Sequence, residues 1–560
     1  MAKIHELTIK NFRCIKTFSQ KFNKDFICLI GRGDTGKTTI LDAIACVLSP
    51  NRKMSFYDND FYNGEVIEPI EIEVTITDLP QKILIEDKYG LLIRGIDADG
   101  NIQDDIEENH IKALTINLKI EKDLEPQWTV VNNRQDPKRI SAYDREKFNM
   151  FMIADYIDRH FSWNKGNPLY ALLSTTQNHE ESDNVVIEAL REAKTKIDTN
   201  EFSALVGITE KVKEISSDFG VDLSGANTTI DFRDISIKDG RVCLHDGGVP
   251  FRLKGKGSKR LISIAIQCLL VQNGGVLLVD EVEQGLEPDR VKQLIRILEK
   301  KNNGQIFITT HSSEVITELD AERLSIIKSK DGDIIMSEPG ANFQDVIRAC
   351  PEAEYAKKVI MCEGKTELGI CRALDVYRKK NGKEYMCFMD CIYSLGEGHS
   401  FTLRAKKLKE LGLDICVFCD SDKDSELKPT KDEVEELGIK VFDCDNGNAI
   451  EDQVFTDLPW CGIKELLDYV IKEKGVEESR IVDSLKFHYK GTLPGDWKCS
   501  DTAEMRRAIA KSSKTQEWFK RMDAGEYFGL VILKYIDQIG DSKIISQIKN
   551  ISSWIDNELC

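Results

Sequence analysis

The chain has 560 residues, more than one hydrophobic core usually serves, so two to four domains are expected. Its formal net charge of −18 excludes a surface coated in basic residues. Any contact with nucleic acid must therefore use a local groove, or divalent metals that bridge carboxylates to phosphate. No apolar run approaches the roughly 20 residues that span a bilayer, and the N-terminus lacks the apolar core of a signal peptide. We expect a cytoplasmic protein without a membrane contact.

The 16 cysteines are interpreted as reduced thiols. Most of them lie inside apolar runs that indicate strands or helices. Cys416 and Cys419 have the CxxC spacing of some zinc and redox sites, but both lie within one apolar run that leads into Asp420. Buried thiols in a cytoplasmic protein are the expected explanation.

Two predicted strands lead into a phosphate-binding loop. Residues Lys3–Ile15 alternate apolar and polar side chains, and the apolar run Phe26–Ile30 ends in the sequence GRGDTGKT, followed by helical spacing up to Pro50. Backbone N–H groups of a glycine loop and the following helix N-terminus can surround phosphates. The spacing GxxxxGK[ST] predicts a nucleoside triphosphate site with Lys37 on the β/γ-phosphates and the Thr38 hydroxyl on Mg²⁺. The candidate residues are Gly31, Gly33, Gly36, Lys37, Thr38 and Thr39.

The middle of the chain carries helical patterns. Residues Tyr143–Trp163 repeat apolar side chains at helical spacing, which predicts an amphipathic helix. Residues Val185–Phe219 are helical in pattern and highly charged, and indicate an insertion or dimerisation element or, equally, a solvated helical hairpin. We place this helical insertion at about residues 145–225.

Signals of a nucleotide domain resume after residue 250. A basic, small-residue loop that includes Gly257 and Ser258 opens an apolar helix. The apolar run GVLLVDE ends in Asp280 and Glu281, and the run GQIFITTHS ends near His311. Strands alternating with helices favour a parallel sheet with ligands at the strand C-termini. There Asp280 is placed to hold Mg²⁺ through water, Glu281 to orient or deprotonate the attacking water, and His311 to sense the γ-phosphate.

Together, these motifs resemble the ABC-type ATPase heads of the RecF, SMC and OLD (overcoming lysogenization defect) group, over roughly residues 1–330. The resemblance implies that two protomers sandwich ATP, each offering Gly257 and Ser258 to the other's phosphate. The sequence GKGSKR departs from the LSGGQ of transporters, and Asp60 is the candidate for the position of the usual glutamine-bearing loop. We assign residues 1–340 to the ATPase domain.

A second α/β pattern carries paired acids. In VIMCEGKTEL, Glu363 follows an apolar strand and Glu367 lies one helical turn further on. In DICVFCDSDKD, another apolar strand ends in Asp420, Asp422 and Asp424. Converging carboxylates repel one another unless a cation lies among them, and oxygen ligands suit Mg²⁺ or Mn²⁺. Two such ions about 4 Å apart can clamp a phosphodiester. The alternative for the second motif is a solvated acidic turn.

This region resembles the TOPRIM fold over roughly residues 355–460, with the helical residues 461–560 completing the domain. The resemblance implies that Glu363 is the acid/base or metal glutamate, that Asp420 and Asp422 bind metal, and that Glu367 is a further ligand. Asp424 and Glu451 are the remaining acidic candidates. Nucleases of this type also use a lysine beyond the core, for which Lys520 is the first candidate and Lys514 the second.

An ABC-type head followed by a TOPRIM domain is similar to OLD-family nucleases, some of which are effectors of antiphage modules such as Gabija and retrons. The resemblance implies an α/β protein that is an ATP-coupled, divalent-metal-dependent DNA endonuclease or nickase. It also implies a homodimer or higher oligomer and a partner protein or nucleic acid from a defence module. The alternatives are a topoisomerase or primase, an SMC-like clamp, and a nucleotide-gated binding module with an inert acidic site. Whether ATP licenses or restrains cleavage is open.

Overall fold

The computed structural model describes residues 2–51, 54–154, 157–161, 167–168, 192, 244–246, 249–271, 274–300, 304–422, 424–445, 447–540 and 542–558. Contacts divide the chain into two compact units, Met1–Ile27 with Thr38–Thr310, and Cys28–Lys37 with His311–Cys560. The domain bounds expected from the sequence stay predictions. The helical pattern at 185–219 lies outside the described residues, apart from residue 192.

The strands, in chain order, are β1 Lys3–Phe12, β2 Ile15–Lys21, β3 Phe26–Ile30, β4 Ile70–Thr77, β5 Arg94–Ile96, β6 Ile102–Gln103, β7 Ile111–Ile120, β8 Pro126–Val131, β9 Lys138–Arg139, β10 Met150–Ile153, β11 His245–Asp246, β12 Val249–Pro250, β13 Val276–Val279, β14 Gln305–Thr309, β15 Leu324–Lys330, β16 Asp333–Ser337, β17 Lys358–Cys362, β18 Cys391–Leu395, β19 Asp414–Phe418 and β20 Lys440–Phe442.

The helices are α1 Lys37–Leu48, α2 Glu86–Tyr89, α3 Ala142–Glu146, α4 Lys256–Val271, α5 Pro288–Lys300, α6 Ser313–Glu318, α7 Gln344–Ala349, α8 Lys365–Lys380, α9 Phe401–Glu410, α10 Lys431–Glu436, α11 Ile450–Asp457, α12 Trp460–Lys472, α13 Glu478–His488, α14 Ala503–Thr515, α15 Met522–Lys534, α16 Ile536–Ile539 and α17 Lys543–Ile555. In the described part of the chain, no helix has the length and apolarity that a membrane crossing needs.

The first unit combines an antiparallel and a parallel arrangement. Strand β1 pairs antiparallel with β2 and β4, and β4 continues antiparallel to β7. Strands β10, β13 and β14 are parallel, with Val276 opposite both Met150 and Gln305. All residues of β13 and β14 are buried, as expected for parallel strands that are covered on both faces.

The amphipathic helix predicted at Tyr143–Trp163 is wrong. Helix α3 ends at Glu146, and β10 follows as a strand parallel to β13. Asn149 separates them at a positive φ of 49°, and its carbonyl accepts a hydrogen bond from Val276 N (3.2 Å). A short apolar run fits either period, and here pairing with a distant strand decides the conformation.

The second unit contains the strand of the phosphate loop and a four-stranded parallel sheet. Residues Cys28–Ile30 of β3 pair parallel with β15, which forms an antiparallel hairpin with β16. The segment after residue 331 contains β16 and α7. The second sheet has the order β18-β17-β19-β20, as the alternation of apolar runs and helices predicts.

The prediction of mostly buried thiols is confirmed for the described cysteines, none of which is in a disulfide. Cys416 and Cys419 are fully buried. Burial raises the pKa of both thiols well above the usual range, which keeps them protonated at neutral pH.

Candidate functional site

The phosphate loop lies between the fully buried strand β3 and helix α1. Gly31 has a φ of +144°, and a Cβ there would lie 2.5 Å from the Ile327 carbonyl oxygen. Gly36 has a φ of +93°. At Gly33, a Cβ would meet nothing within 4 Å. The backbone therefore requires glycine at two of the three predicted positions, and Gly33 leaves open space there.

Lys37 is buried in the loop. Its ammonium donates hydrogen bonds to the carbonyl oxygens of Gly31 (2.8 Å) and Arg32 (2.7 Å). The loop thus holds the cation where the GxxxxGK[ST] spacing requires it for binding phosphate.

The predicted magnesium pair is in contact. The Thr38 hydroxyl donates to Asp280 Oδ1 (3.0 Å), and the Thr309 hydroxyl donates to the same oxygen (2.6 Å). The Glu281 N–H in turn donates to Thr309 Oγ1 (2.7 Å). A hydroxyl and a carboxylate at hydrogen-bond distance fit an Mg²⁺ site next to a phosphate loop. Thr39 instead lies toward the interior, 3.2 Å from the Cys14 sulfur.

The end of β13 is held in an uncommon conformation. Glu281 has a φ of +47°, in the left-handed region that costs a side-chain-bearing residue energy. The buried Arg260 guanidinium donates to the carbonyl oxygens of Asp280 and Glu281, the latter at 3.0 Å. Arg260 ends the sequence GKGSKR, and this motif alone does not predict the role. Its signal is an arginine one turn into the helix that opens at the basic loop.

The other predicted nucleotide residues have the following places. A Cβ on Gly257 would lie 2.6 Å from the Gly285 carbonyl oxygen, so this glycine allows the first turn of α4 to pack closely against the loop at Gly285. Ser258 is exposed in the first turn of α4. His311 is exposed, with its ring 6.0 Å from that of Tyr355. Asp60 accepts a hydrogen bond from Arg13 Nε (3.0 Å).

In the second sheet, the predicted acids meet at the C-terminal ends of two adjacent strands. Strands β17 and β19 pair in parallel, so Glu363 and Asp420 leave the sheet at the same edge. The Asp420 N–H donates to Glu363 Oε2 (2.9 Å), and the Ile450 N–H donates to Asp420 Oδ1 (2.6 Å). Glu451, next to Ile450 in α11, is buried, and neither of its carboxylate oxygens has a hydrogen-bond partner among the described residues.

The carboxylates act on one another electrostatically. Burial raises the pKa of Asp420 to about 7, and the charges of Glu451 and Glu363 add to this rise. Burial also raises the pKa of Glu367 well above its usual range, with further contributions from Asp420 and Glu451. The pKa values of Glu363 and Glu451 are raised, first by burial. We call Glu363, Glu367, Asp420 and Glu451 the carboxylate cluster.

The chemistry of the carboxylate cluster fits a divalent cation. Its donor atoms are all oxygens, which suit such an ion. A bound cation would give the buried Glu451 carboxylate, which has no hydrogen-bond partner among the described residues, a partner and would relieve the repulsion between the carboxylates. Among the described residues, no group of three or more His, Cys, Asp or Glu side chains is arranged closely enough to hold a metal as it stands. A cation would therefore have to draw these side chains together. The side chain of Asp424 lies outside the described residues.

Three lysines approach these acids. The Lys514 ammonium forms an ion pair with Asp422 Oδ2. Burial opposes the charge of Lys520, while Glu451, Glu367 and Asp420 attract it and raise its pKa. Lys431, which the sequence reading missed, donates to the Asp420 carbonyl oxygen (2.6 Å). Its neighbours Thr430 and Glu433 form a helix-capping pair, so the local sequence explains Lys431 as an ordinary helix start.

Known proteins match this chain over different lengths. The endonuclease GajA of Bacillus cereus (strain VD045) is 24% identical over 494 residues, which cover 82% of this chain and 81% of that protein. An ATP/GTP phosphatase of Helicobacter pylori (strain ATCC 700392 / 26695) is 34% identical over 89 residues, 15% of this chain and 23% of that protein. A solved Smc head domain derived from Pyrococcus furiosus is 14% identical and covers 63% of this chain and 99% of its own, with a TM-score of 0.35 that supports no conclusion.

The family model described as AAA ATPase domain matches residues 2–316. This range includes the phosphate loop and the pair Thr38–Asp280, and it spans more than half of the chain. The chain therefore belongs to the AAA ATPase domain family and contains a nucleotide-binding α/β P-loop ATPase domain.

Proposed function

We propose that this protein is an ATP-coupled, divalent-metal-dependent DNA endonuclease or nickase that acts as an antiphage effector. The observation that carries the proposal is the carboxylate cluster, in which Glu363 and Asp420 follow adjacent parallel strands and the buried Glu451 carboxylate has no hydrogen-bond partner among the described residues. The similarity to a protein named endonuclease GajA extends over 82% of the chain and supports the same reading. We assign the second sheet to the TOPRIM fold on this basis.

The cluster is suited to hydrolysis of a phosphodiester. Glu363, Glu367, Asp420 and Glu451, with Asp422 and Asp424, would hold the cations. When bound, Mg²⁺ or Mn²⁺ lowers the pKa of water and stabilises the charge that develops on the phosphate. Lys514 pairs with Asp422 and Lys520 is attracted to Glu451, so both lysines can bind a phosphate oxygen beside the carboxylates. The structural contact favours Lys514, the second choice from the sequence.

The ATPase domain supplies the nucleotide side of the proposal. We assign it to the ABC-type class, in which Gly257 and Ser258 act on the nucleotide of a second copy in a homodimer or higher oligomer. Glu281 orients the attacking water, and its strained backbone supports this role because strain concentrates at functional positions. DNA and a component of a defence module are the proposed partners.

A contact within the second unit offers a route for coupling. Arg32, in the phosphate loop, forms an ion pair with Asp390. Asp390 also pairs with Lys357 (3.0 Å) and directly precedes β18 of the carboxylate sheet. A phosphate bound in the loop competes with Asp390 for the Arg32 guanidinium, so nucleotide binding changes a contact at the edge of that sheet.

Cleavage of plasmid DNA with Mg²⁺ or Mn²⁺, with and without ATP, tests the proposal. Wild type is expected to cut, Asp420→Ala to lose cutting, and Lys37→Ala to lose the response to ATP. Cutting by Asp420→Ala would refute the assigned site. If wild type hydrolyses ATP but no sample cuts DNA, the result would favour the alternative, a nucleotide-gated DNA-binding protein with an inert acidic site.

A further inference from the structure

Helix α14 carries three basic residues on one face. Arg507, Lys511 and Lys514 follow one another at intervals of four and three residues, which places them about 6 and 4.5 Å apart along the helix axis. Arg507 and Lys511 are exposed, and neither side chain makes a hydrogen bond or ion pair within the part of the chain that the structure describes. We call these three residues the basic stripe.

The neighbouring arginine shows that helix packing does not explain the stripe. Arg506 has a structural partner set, because its guanidinium donates to the carbonyl oxygens of Phe455 (3.0 Å) and Leu458 (2.7 Å) and pairs with Asp501 (2.6 Å). Arg507 projects from the adjacent position without such partners. In a chain with a net charge of −18, two exposed cations one helical turn apart that lack carboxylate partners among the described residues point to an anionic ligand.

The stripe leads to the carboxylate cluster. Its last member, Lys514, forms the ion pair with Asp422 and is also attracted to Asp420. An anionic polymer that follows Arg507 and Lys511 along α14 therefore arrives at the proposed cutting site. Phosphates of a DNA strand are such a polymer, and lysine and arginine are their usual partners.

An exposed aromatic ring lies at the same end of α14. The His488 Nε2 atom is 3.3 Å from the hydroxyl of Thr515, the residue next to Lys514. Its neighbour Phe487 is 84% exposed, with only an edge contact to the His488 ring (5.0 Å between centroids). A free ring face beside a basic track suits stacking with a nucleobase, and only an unpaired base offers its face.

We infer that the basic stripe and Phe487 bind an unpaired DNA strand and lead it to the carboxylate cluster. This inference rests on the proposed function, since it takes the cluster as the place where the strand is cut. It adds the substrate class, which is a single-stranded or locally opened region in place of an intact duplex.

Binding is measured with the full chain by fluorescence anisotropy in EDTA, using a labelled 20-nucleotide single strand and the matching duplex. Wild type is expected to bind the single strand more tightly. The double variant Arg507→Gln/Lys511→Gln is expected to bind about tenfold more weakly and to lose about 1.4 from the slope of log affinity against log salt, because each single-strand phosphate contact contributes about 0.7. The matched control is Lys549→Gln, which is expected to bind like wild type. Lys549 is exposed on α17 and has no ion-pair partner in the part of the chain that the structure describes.

The aromatic contact is tested separately. Phe487→Ala is expected to weaken single-strand binding about fivefold to tenfold and to leave duplex binding unchanged, while Phe487→Trp restores it. Circular dichroism and thermal unfolding establish that each variant is folded. If Phe487→Ala weakens binding to single-stranded and duplex DNA equally, the inference is wrong. It is also wrong if the double variant binds the single strand like wild type.

Cleavage by the same samples separates the two proposals. If cutting depends on Asp420 while the stripe variants bind and cut like wild type, the inference fails and the nuclease stands. If the stripe variants lose binding but wild type cuts nothing in Mg²⁺ or Mn²⁺, binding of an unpaired strand by the basic stripe is supported and the proposed nuclease activity is wrong.

Discussion

The substitution Asp420→Asn tests the carboxylate cluster in the absence of nucleic acid. Asp420 lies beside Glu363 and accepts the backbone hydrogen bond from Ile450 N (2.6 Å) through Oδ1. An asparagine keeps an oxygen for this hydrogen bond and removes one negative charge from the cluster. Burial and the neighbouring charges both disfavour the ionised carboxylate, so the loss of a proposed catalytic carboxylate is expected to stabilise the metal-free protein.

The magnitude follows from the pKa. In the folded chain the pKa of Asp420 is raised from 3.8 to about 7, so the folded state holds a proton that the unfolded state has released. Stability therefore falls as pH rises between these two values, and the loss is complete above the folded pKa. Three pH units at about 1.4 kcal/mol each set an upper limit of ~4 kcal/mol. Because the neighbouring carboxylates share this repulsion, we expect Asp420→Asn to recover ~2 kcal/mol at pH 8.

The assay is thermal unfolding of the full chain in EDTA at pH 6 and pH 8. At about 2–4 °C per kcal/mol, the Tm of the transition that includes the second unit is expected to rise by ~4–8 °C at pH 8. The rise at pH 6 is expected to be about two-thirds as large, because about two of the three pH units over which stability is lost lie below pH 6. Added Mg²⁺ is expected to raise the Tm of wild type more than that of the variant. Asp414→Asn, an exposed acid at the start of the same strand, is the matched control.

Two results would refute this reasoning. A lower Tm for Asp420→Asn at pH 8 would mean that the carboxylate makes stabilising contacts that outweigh the repulsion. A gain of equal size at both pH values would mean that the effect does not come from ionisation.

Four further substitutions test other parts of the chain. Lys37→Ala is expected to abolish phosphate release from ATP, because it removes the cation of the phosphate loop; hydrolysis at the wild-type rate would contradict the assignment. Asp390→Asn is expected to reduce the change in cleavage that ATP produces, measured as the ratio of rates with and without nucleotide. Arg378→Ala is expected to lower the free energy of unfolding in urea by about 3 kcal/mol, because Arg378 is buried in an ion pair with Asp556. The exposed pair of Lys379 and Glu384, by comparison, contributes under about 1 kcal/mol. Gly369→Ala is expected to cost about 2 kcal/mol or more, since a Cβ there would lie 2.4 Å from backbone atoms of α15.

Local motifs made much of both sites predictable. The phosphate loop needs a strand, a glycine turn and a helix in direct succession, and all three are encoded within residues 25–50. The carboxylate cluster was predictable for a similar reason, because Glu363 and Asp420 each follow an apolar run and parallel strands end at one edge. In both cases the position of the residue follows from its own strand.

The parts that sequence reading missed depend on distant neighbours. Strand β10 exists because it pairs with β13, about 125 residues further along the chain, and its short apolar run carries no period that excludes a helix. The choice between Lys514 and Lys520 depends on how α14 packs, because both lysines stand in charged sequence. Lys431 was missed since its capping sequence already has a local explanation.

The contacts within the second unit limit how nucleotide can act on the carboxylates. Arg32 contacts Asp390 just before β18, and Lys328, on the strand paired with β3, donates to the Gly412 carbonyl oxygen (3.2 Å) just before β19. Both contacts lie at the N-terminal ends of strands whose C-terminal edge carries the cluster. Five residues of strand span about 16 Å, so a ligand in the phosphate loop cannot reach the acids by this route.

Coupling by this route must therefore shift the strands as units and change the spacing of the carboxylates, without replacing any of their ligands. A shift of this kind predicts a dissociation between two measurements. Asp390→Asn should lose the response of cleavage to ATP and keep the full Mg²⁺-induced rise in Tm, because the residues that hold the cation are unchanged. Loss of both together would mean that Asp390 supports the fold of the sheet and carries no signal from the nucleotide.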